Sequence, residues 1–555
     1  MSQTSYYVSK MFYIVLHNLW KKRTFASQLI TNMNKNNIPF FLLAVVMTFA
    51  LSLLASCSSD DSDDSTPVSI SVVSCSVTNG AEYSAADLTT ITVSYNTEVS
   101  VSHQASITLN GTKCHAASST ATAKDVVITL PTLQDGQYYT LDIPTYSIVS
   151  KSDGKSTAPA YAVSFTTKGA ARIEPVDAAS VTKCLGWGWN LGNHFDTSSG
   201  QDGVRPQWGY WDGATPTQSL YTNLKKAGVS TVRMGVTWGN YQSNVTTWAI
   251  DAAYMAEVRQ NVEWAEAAGL NVILNMHHDE YWLDIKGAAN NSDTNTKIKQ
   301  RIEKTWTQIA EAFKDKGDFL FFESFNEIQD GGWGWGDNLR DGGKQYRTLN
   351  EWNQLVVNTI RATGGNNATR WIGIPGYASN PTYVIDNNFV LPTDPANRLM
   401  VSVHFYDPSN FTLSPEDTYG KSEWGHTAAA GKYDAGSNEE HVVDVFKKLQ
   451  QKYIARNIPV YIGEYGCVMH TTQRSNLFRN YYLEYVCRAA HTYGMPLCIW
   501  DNNLTGGGNE HHGYFDHSNG SYINGMENMV KTMIKAATSD DASYTLDTVY
   551  AKAPR

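Results

Sequence analysis

The distribution of apolar residues divides the chain into two regions with different periodicities. Between positions 67 and 168, apolar and polar residues alternate in short runs, as at 90–95 and 162–166, and turn residues separate the runs. Such alternation is typical of half-buried strands, so this region is predicted to form a small antiparallel β-sandwich. From Cys184 onward, apolar runs of strand length alternate with longer amphipathic stretches, which indicates repeated strand–helix units.

Eight candidate strands can be counted in the second region. In chain order they end near Leu191, Gly235, Met276, Phe325, Pro375, Phe405, Gly463 and Trp500. The helix-like segments between them cover 217–227, 251–268, 296–314, 349–361, 439–455 and 473–491, and several end in a glycine suited to a helix C-terminus. The chain is therefore predicted to be an α/β protein with a (β/α)8 TIM barrel over 184–555, a linker over 169–183 and an N-terminal all-β sandwich.

The first 56 residues are predicted to be a leader and not a folded domain. Positions 38–54 are almost wholly apolar, and the segment 54–57 resembles a bacterial lipobox, in which the cysteine is lipidated. We therefore expect Cys57 to carry a lipid and to anchor the chain to the outer membrane. A plain signal peptide or a single membrane span is the alternative, and translation could start at Met1 or at Met33.

Residues 57–66 form an acidic tether rich in serine and aspartate. Such a segment buries too little apolar area to fold, so it is expected to be disordered. Its composition resembles the surface-export signals of Bacteroides-type lipoproteins, whereas a spacer without signal function is the alternative. We expect an outer-membrane lipoprotein exposed at the cell surface, with the periplasmic face left open.

Composition narrows the class of ligand. The chain has 43 basic and 53 acidic residues, a formal net charge of -10, which provides no basic surface for nucleic acid. It also contains 16 Trp and 31 Tyr, whose flat apolar faces with polar edges suit sugar rings. These features favour a neutral ligand such as a polysaccharide.

The seven cysteines predict no disulfide scaffold. With Cys57 set aside, the remaining six are few for a chain of 555 residues, and no Cys-x-x-Cys spacing suggests a metal site. Cys75 and Cys114 share the first domain and could pair, but the sequence does not determine pairing. A large apolar core is expected to hold the fold together.

The region 67–168 resembles a bacterial Ig-like module. Such modules are usually spacers, and a spacer is the expected role here. Carbohydrate binding is the alternative, although the region contains no Trp.

Polar residues gather where the predicted barrel strands end. In chain order they are Asn190, Asn193, Arg233, His277, His278, Asn326, Glu327, His404, Tyr406, Glu464 and Trp500. A carboxylate just past a buried strand of a parallel barrel faces the open end where barrel enzymes build their sites. Glu327 and Glu464 both have this position and predict an acid and a base. Any single polar residue near a strand is more often structural, so the argument depends on the set.

Eight motifs carry a resemblance to a known family. They are GWNLGN at 188–193, VRMGVTW at 232–238, NMHHD at 275–279, FESFNE at 322–327, TGGNN at 363–367, VSVHFY at 401–406, IGEYG at 462–466 and WDNN at 500–503. Together they resemble glycoside hydrolase family 5, and most of all its subfamily of endo-β-1,4-glucanases and xyloglucanases. The resemblance covers nearly the whole segment from Cys184 to about position 537.

The resemblance implies a retaining mechanism with Glu327 as general acid/base and Glu464 as nucleophile. Arg233 is expected to hold the pKa of Glu464 down, with Tyr406 as a hydrogen-bond donor. An apolar pocket and the charge of Glu464 are expected to keep Glu327 protonated.

The family pattern also implies roles for the residues around the two glutamates. Asn326 would contact the sugar 2-hydroxyl, His277 and His404 would orient the site, and Trp500 would form the floor under the cleaved sugar.

An open groove is predicted from aromatic residues in the strand-to-helix connections. They are Trp208, Trp211, Trp238, Tyr241, Trp282, Trp333, Trp335 and Trp424. Each alone is equally compatible with packing, but as a group they favour an endo-acting groove that holds several sugars. The predicted substrate-binding residues are Asn190, Asn193, Trp211, Trp238, His278, Trp282, Trp333 and Trp335.

Several alternatives stay open. Residues 277–280 could form a metal cluster. Adjacent histidines on a strand point to opposite sides, however, so His278 could instead be a structural residue. Departures from the family pattern at His194, Asn240, Ile328 and Asn503 leave the choice among cellulose, mixed-linkage glucan, xyloglucan and xylan undecided.

The competing functions are a surface glycan-binding lipoprotein without catalysis and the same mechanism acting on β-mannan or xylan. No cofactor and no metal are expected, and the chain is expected to be a monomer.

Overall fold

The computed structural model describes residues 68–168, 174–207, 209–243, 246–415, 420–523 and 525–555. The predicted leader and tether, with Cys57, lie outside the described residues, as does Trp208.

Short strands build the N-terminal all-β region. The strands are β1 Val72–Cys75, β2 Glu82–Tyr83, β3 Thr90–Tyr95, β4 Val99–Val101, β5 Thr108–Leu109, β6 Thr112–Lys113, β7 His115–Ser118, β8 Asp125–Thr129, β9 Tyr138–Ile143, β10 Ile148–Ser150 and β11 Tyr161–Thr167. They form a four-stranded sheet in the order β1-β3-β8-β7, a five-stranded sheet in the order β2-β11-β9-β5-β6, and a β10-β4 pair. All pairs are antiparallel except β11 with β2.

The alternating sequence pattern of this region explains its core. In β3, Ile91, Val93 and Tyr95 are buried while the residues between them are not, and Phe165 of β11 is also buried. The predicted all-β region is therefore confirmed, and its Ig-like character stays a prediction. Cys75 and Cys114 are both unpaired thiols.

Eight parallel strands close into a barrel in sequence order. They are β12 Trp187–Asn190, β13 Thr231–Met234, β14 Asn271–Asn275, β15 Leu320–Glu323, β16 Ile372–Pro375, β17 Leu399–Phe405, β18 Val460–Tyr465 and β19 Leu497–Ile499. The strand β19 pairs with β12 and completes the ring. Every residue of these strands is buried, as expected where helices cover a parallel sheet. The predicted (β/α)8 barrel is confirmed.

The α-helices of the described residues surround this barrel. They are α1 Ala178–Leu185, α2 Gln218–Ala227, α3 Ala252–Ala267, α4 Ile285–Asn290, α5 Ser292–Phe313, α6 Lys344–Ala362, α7 Pro381–Ile385, α8 Ser409–Thr412, α9 Glu439–Lys452, α10 Gln473–Tyr493, α11 Glu527–Thr538 and α12 Leu546–Tyr550. Gly228 and Gly494 end α2 and α10 in the left-handed conformation that the sequence suggested for such glycines.

Helix α1 occupies the end of the segment predicted as a linker. Val181 and Leu185 of this helix pack in one buried cluster with Ile273 and Phe321 of the barrel strands. The indole nitrogen of Trp371 donates a hydrogen bond to the carbonyl of Pro175 at 2.6 Å. Packing of the barrel domain therefore begins before Cys184.

Within the described part of the chain, no helix combines the length and the apolar character needed to cross a membrane.

Candidate active site

The carboxyl ends of the barrel strands bring Glu327, His404 and Glu464 together. Glu327 follows β15, His404 lies near the end of β17, and Glu464 lies near the end of β18. One oxygen of each glutamate and one ring nitrogen of His404 all lie within 4.8 Å of one another. Because parallel strands of a barrel end at the same face, residues far apart in sequence meet here.

Arg233 is the hub of the site. Its side chain is fully buried, and it donates hydrogen bonds of 2.8 Å to Glu464 Oε1, to Glu323 Oε2 and to Asn326 Oδ1. Burial alone would lower the pKa of Arg233, but Glu323 and Glu464 together raise it above its ordinary value. The guanidinium thus stays charged and, with a further hydrogen bond of 3.0 Å to Asn190 Oδ1, fixes four side chains at once.

The surroundings of Glu464 correct one prediction. The Tyr406 hydroxyl donates to Glu464 Oε2 at 3.1 Å, as the sequence suggested. Burial nevertheless raises the pKa of Glu464 above its ordinary value, and the opposing effects of His404 and Arg233 are smaller. Arg233 thus lowers the pKa of Glu464 as expected, but burial outweighs this effect, so the expected net depression does not occur.

Glu327 has the environment of a proton donor. Burial and the nearby negative charge of Glu280 raise its pKa to about 7, against the opposing effects of His278 and Arg233. At neutral pH a large share of Glu327 is therefore protonated. The main neighbouring charge is Glu280, which the sequence did not indicate.

His404 fixes the orientation of Glu327. Its Nδ1 lies 2.6 Å from Glu327 Oε1, and its Nε2 lies 3.4 Å from Nη2 of Arg233. Burial lowers the pKa of His404 to about 4, so the ring is neutral. Because arginine only donates, Nε2 is the acceptor and Nδ1 carries the proton that it donates to Glu327. The acid proton of Glu327 is then left on its other oxygen, Oε2.

His277 lies near one oxygen of Glu464, and His404 lies near the other. Its Nε2 is 3.9 Å from Glu464 Oε1, and its ring stacks on Trp500 with centroids 5.9 Å apart and planes 13° apart. Burial lowers the pKa of His277 well below its ordinary value. This neutral ring connects the predicted sugar floor to the nucleophile.

Glu323 is a member of the site that sequence reasoning missed. It is fully buried and accepts hydrogen bonds from Arg233, from the Asn275 amide at 3.0 Å and from the Ser402 hydroxyl. Its sequence signal is a glutamate inside the apolar run 319–325, at an even spacing from Glu327. Side chains at even spacing along an extended chain share one face, so the pattern could have placed both at one site.

The structure contradicts three of the predicted groove residues. Trp238 and Trp424 are almost fully buried and donate their indole N–H groups to backbone carbonyls of Asn275 and Ser437. Asn190 is also buried, and its amide donates to the carbonyl of Gly463 at 2.9 Å. These side chains hold the barrel and its loops, so the predicted substrate contacts of Asn190 and Trp238 are wrong, as is the predicted position of Trp424 along the groove.

Other predicted groove residues are accessible. Trp211, Trp333 and Trp335 expose 46%, 59% and 77% of their surface, values that leave indole faces free for a ligand. His278 is half-buried, and its ring lies 6.2 Å from that of Trp211. Burial alone would lower the pKa of His278, but the negative charges of Glu280 and Asp196 raise it to about 9.

The remaining predicted groove residues are partly occupied by the protein itself. The Arg301 guanidinium lies 4.1 Å from the ring centroid of Trp282, and Tyr241 stacks on Tyr254 at 3.5 Å. Asn193 is half-buried in the left-handed conformation, and its N–H donates to Asp196. One face of each aromatic ring is thus already used in packing.

The geometry supports the alternative of a metal cluster over 277–280 only for its two histidines, whose ring nitrogens lie within 4.8 Å of each other and of a carboxylate oxygen of Asp196. Asp279 accepts hydrogen bonds from the N–H groups of Trp238 and Gly239 at 3.0 and 2.8 Å, and from the indole of Trp282 at 2.9 Å. Both of its oxygens therefore anchor neighbouring loops instead of facing the two histidines.

Comparison with known proteins places this site in context. The family model described as Cellulase (glycosyl hydrolase family 5) matches residues 192–506. Endoglucanase A of Paenibacillus barcinonensis is 32% identical over 360 residues, which is 61% of this chain and 86% of that protein. A xyloglucan-specific endo-β-1,4-glucanase of Bacteroides ovatus is 32% identical over 327 residues, or 57% of this chain and 63% of that protein.

A solved structure shares the same barrel. The structure described as a GH5-4 broad specificity endoglucanase from Bacteroides salanitronis is 44% identical. It superimposes with a TM-score of 0.63 over 66% of this chain and 97% of that chain.

Proposed function

Because this chain belongs to glycosyl hydrolase family 5, the cellulase family, we propose that it is an endo-β-1,4-glucanase that cleaves glucan backbones by a retaining double displacement. Glu327 is the general acid/base and Glu464 is the nucleophile.

The observation that carries this proposal is the separation of the two carboxyl groups. Their oxygens lie within 4.8 Å of each other. Retaining enzymes hold the two groups about 5 to 5.5 Å apart, whereas inverting enzymes leave about 6.5 to 9.5 Å for a water molecule. The short separation supports direct attack by Glu464 on the sugar.

In the first step, Glu464 forms a bond to the anomeric carbon while the bond to the leaving sugar breaks. Glu327 gives its proton to the departing oxygen, so the leaving chain ends as a hydroxyl. The Arg233 contact at 2.8 Å and the Tyr406 contact at 3.1 Å hold Glu464 in place for the attack. The amide oxygen of Asn326 is occupied by Arg233, which leaves its NH2 group free to face the sugar.

In the second step, Glu327 accepts a proton from water, and the water oxygen replaces Glu464 at the anomeric carbon. Esterification has by then removed the negative charge of Glu464. That change lowers the pKa of Glu327, since a neighbouring negative charge no longer opposes its ionisation. The same residue can therefore act first as an acid and then as a base.

The loop after β15 presents two indoles in a fixed arrangement. Asp330 accepts hydrogen bonds from the N–H groups of Gly332 and Asp337, and the Tyr383 hydroxyl donates to the carbonyl of Gly334. With the loop anchored on both sides, Trp333 and Trp335 are held ready to stack on sugars. Since exposed indoles lie both on this loop and, as Trp211, on the loop after β12, they favour an open groove that accepts an internal stretch of polymer, as endo-cleavage requires.

The decisive experiment measures release of reducing ends from carboxymethylcellulose, barley mixed-linkage glucan, xyloglucan, xylan and glucomannan. We expect fastest cleavage of a β-1,4-linked glucan, and NMR of the first product should show the β-anomer. Inverted product would exclude the retaining mechanism. Binding without cleavage of all five polymers would favour the non-catalytic glycan-binding function, and fastest cleavage of mannan or xylan would assign that specificity.

We also propose that the chain is a monomeric outer-membrane lipoprotein displayed at the cell surface. The lipobox-like segment 54–57 supports lipidation of Cys57, and the acidic tether at 57–66 supports export. Labelling with an alkyne fatty acid should mark the wild-type protein, and Cys57→Ala should lose the label and enter the soluble fraction. A protease added to intact cells should remove the wild-type protein if it is at the surface.

A further inference from the structure

A buried histidine connects the first and the last loop at the open end of the barrel. His517 Nδ1 lies 2.9 Å from Asp212 Oδ2, and His517 Nε2 lies 3.2 Å from Asp501 Oδ1. The side chains of all three residues are completely buried. Asp212 belongs to the connection after β12, and Asp501 follows β19.

This geometry requires a charged imidazole. A carboxylate only accepts hydrogen bonds, so both ring nitrogens of His517 must carry protons to satisfy both partners. A neutral ring has one proton and can donate to only one of the two. Burial opposes the charge, but Asp501 and Asp212 raise the pKa of His517 to about 9.

Other titratable groups face this unit from both loops. Asp212 also accepts from His194 Nδ1 at 3.0 Å, and Asp196 lies close enough to Asp212 for charge repulsion. On the other side, Tyr514 is the neighbouring titratable residue, and its backbone N–H donates to Asp501 Oδ2 at 3.1 Å.

Asp501 is held rigidly in the barrel. Its Oδ2 also accepts from the indole of Trp189 at 2.8 Å and from the N–H of Phe515 at 2.9 Å. Because the whole set is buried, a change at His517 cannot be compensated by water.

Each of the two aspartates directly follows a predicted groove or sugar-floor tryptophan in the sequence. Asp212 follows the exposed Trp211, and Asp501 follows Trp500. Little room for adjustment exists around Trp500, since a Cβ added at Gly192 would lie 2.8 Å from its ring. A shift of either carboxylate therefore moves an indole of the groove.

We propose that His517, clasped between Asp212 and Asp501, is a positioning residue that sets the relative placement of Trp211 and Trp500 and thereby the affinity for the glucan chain. The inference rests on the proposed function. It adds a residue that touches no substrate and acts through the two loops that it joins.

The test is binding of cellohexaose by calorimetry from pH 6 to pH 10. The full protein carries Glu327→Ala, which stops hydrolysis and removes the titration of the acid, and His278→Gln, which removes the other imidazole near Trp211 with a pKa of about 9. We expect the affinity to fall about ten-fold between pH 8 and pH 10, as His517 loses one of its two donors. Circular dichroism at each pH reports whether the fold is intact.

Two further variants make the test specific. Adding His517→Gln should weaken binding by about ten-fold at pH 6 and remove the pH step, because a neutral amide cannot donate to both carboxylates. His426→Gln is the matched control, since His426 pairs with Glu439 through a 2.8 Å contact and takes no part in the clasp. It should leave both the affinity and the pH step unchanged.

A folded His517→Gln protein with unchanged affinity, or with the same pH step, would overturn the proposal. If His517→Gln does not fold, the titration of the protein with Glu327→Ala and His278→Gln decides by itself, and constant affinity from pH 8 to pH 10 overturns it. Failure to bind cellohexaose at every pH would instead overturn the proposed function together with this inference.

Discussion

At the scale of single residues, the chemistry depends on how the hydrogen bonds of one guanidinium are shared among its partners. Arg233 contacts both Glu464 and the fully buried Glu323, so the nucleophile receives only part of its positive charge. His404 contacts Glu327 instead and leaves one oxygen of this glutamate for the acid proton. The two glutamates thus have different surroundings although they lie within 4.8 Å of each other.

The first prediction separates the roles of the two glutamates. Glu464→Ala should lower kcat by about 10⁴-fold or more on every substrate, because no nucleophile remains. Glu327→Ala should lower it as strongly on glucan but much less on an aryl cellobioside, whose leaving group needs no proton. Parallel assays on both substrates check this, and equal losses for the two variants on the aryl substrate would contradict the assignment.

The second prediction concerns pH. Activity on glucan should decline as pH rises through about 7, because Glu327 then loses the proton that it must donate. Glu280→Gln should move this decline to lower pH, since removing a neighbouring negative charge makes Glu327 easier to ionise. The pH profile of kcat/KM for both proteins provides the measurement. An unchanged profile would show that Glu280 does not act on the acid.

At the scale of elements, the loops after the strands decide how the polymer is held. The loop between β15 and α6 carries Trp333 and Trp335. Asp330 of this loop and Tyr383 of α7 anchor it. Trp333 adopts a positive φ of 49°, a conformation that a large side chain rarely takes without support. Such a loop is built to present its indoles in one place.

The third prediction tests this loop. Trp335→Ala should raise KM for long glucans by about 3- to 10-fold, as expected for loss of one stacking contact, with kcat little changed. Leu339→Ala is the matched control, since Leu339 is 52% exposed near the end of the same loop and offers no aromatic face. Steady-state kinetics on a soluble glucan distinguish the two. Equal effects of both substitutions would assign the loss to the loop fold and not to stacking.

At the scale of the whole molecule, buried titratable groups connect stability to pH. His517 has a pKa of about 9 in the folded protein, compared with about 6.5 in an unfolded chain. The folded state therefore binds more protons than the unfolded state between these two values. Its contribution to stability is complete below pH 6.5 and is lost as pH rises to about 9.

The fourth prediction follows from this linkage. Loss of the His517 contribution alone should lower the free energy of unfolding by about 2 kcal/mol between pH 7 and pH 9. Urea unfolding at pH 7, 8 and 9, followed by a spectroscopic signal from the barrel domain, measures this change in the free energy of unfolding. In His517→Gln the decline should be shallower, and an identical decline in both proteins would show that other groups cause it.

The sequence by itself determined the fold class and the position of the chemistry. Eight apolar runs separated by amphipathic helices indicate a parallel barrel, because buried strands form the inner sheet and each helix covers it with its apolar face. Closure of such a barrel then brings the strand ends together, so the sequence places Glu327 and Glu464 at one site.

Only the tertiary structure decided which side chains are buried. Trp238 and Trp335 both lie in strand-to-helix connections, yet one is fully buried and the other is 77% exposed. The direction of the Glu464 pKa, the sharing of Arg233 with Glu323 and the clasp around His517 depend on residues far apart in the chain. Burial and electrostatics are sums over such distant neighbours, and local pattern does not contain them.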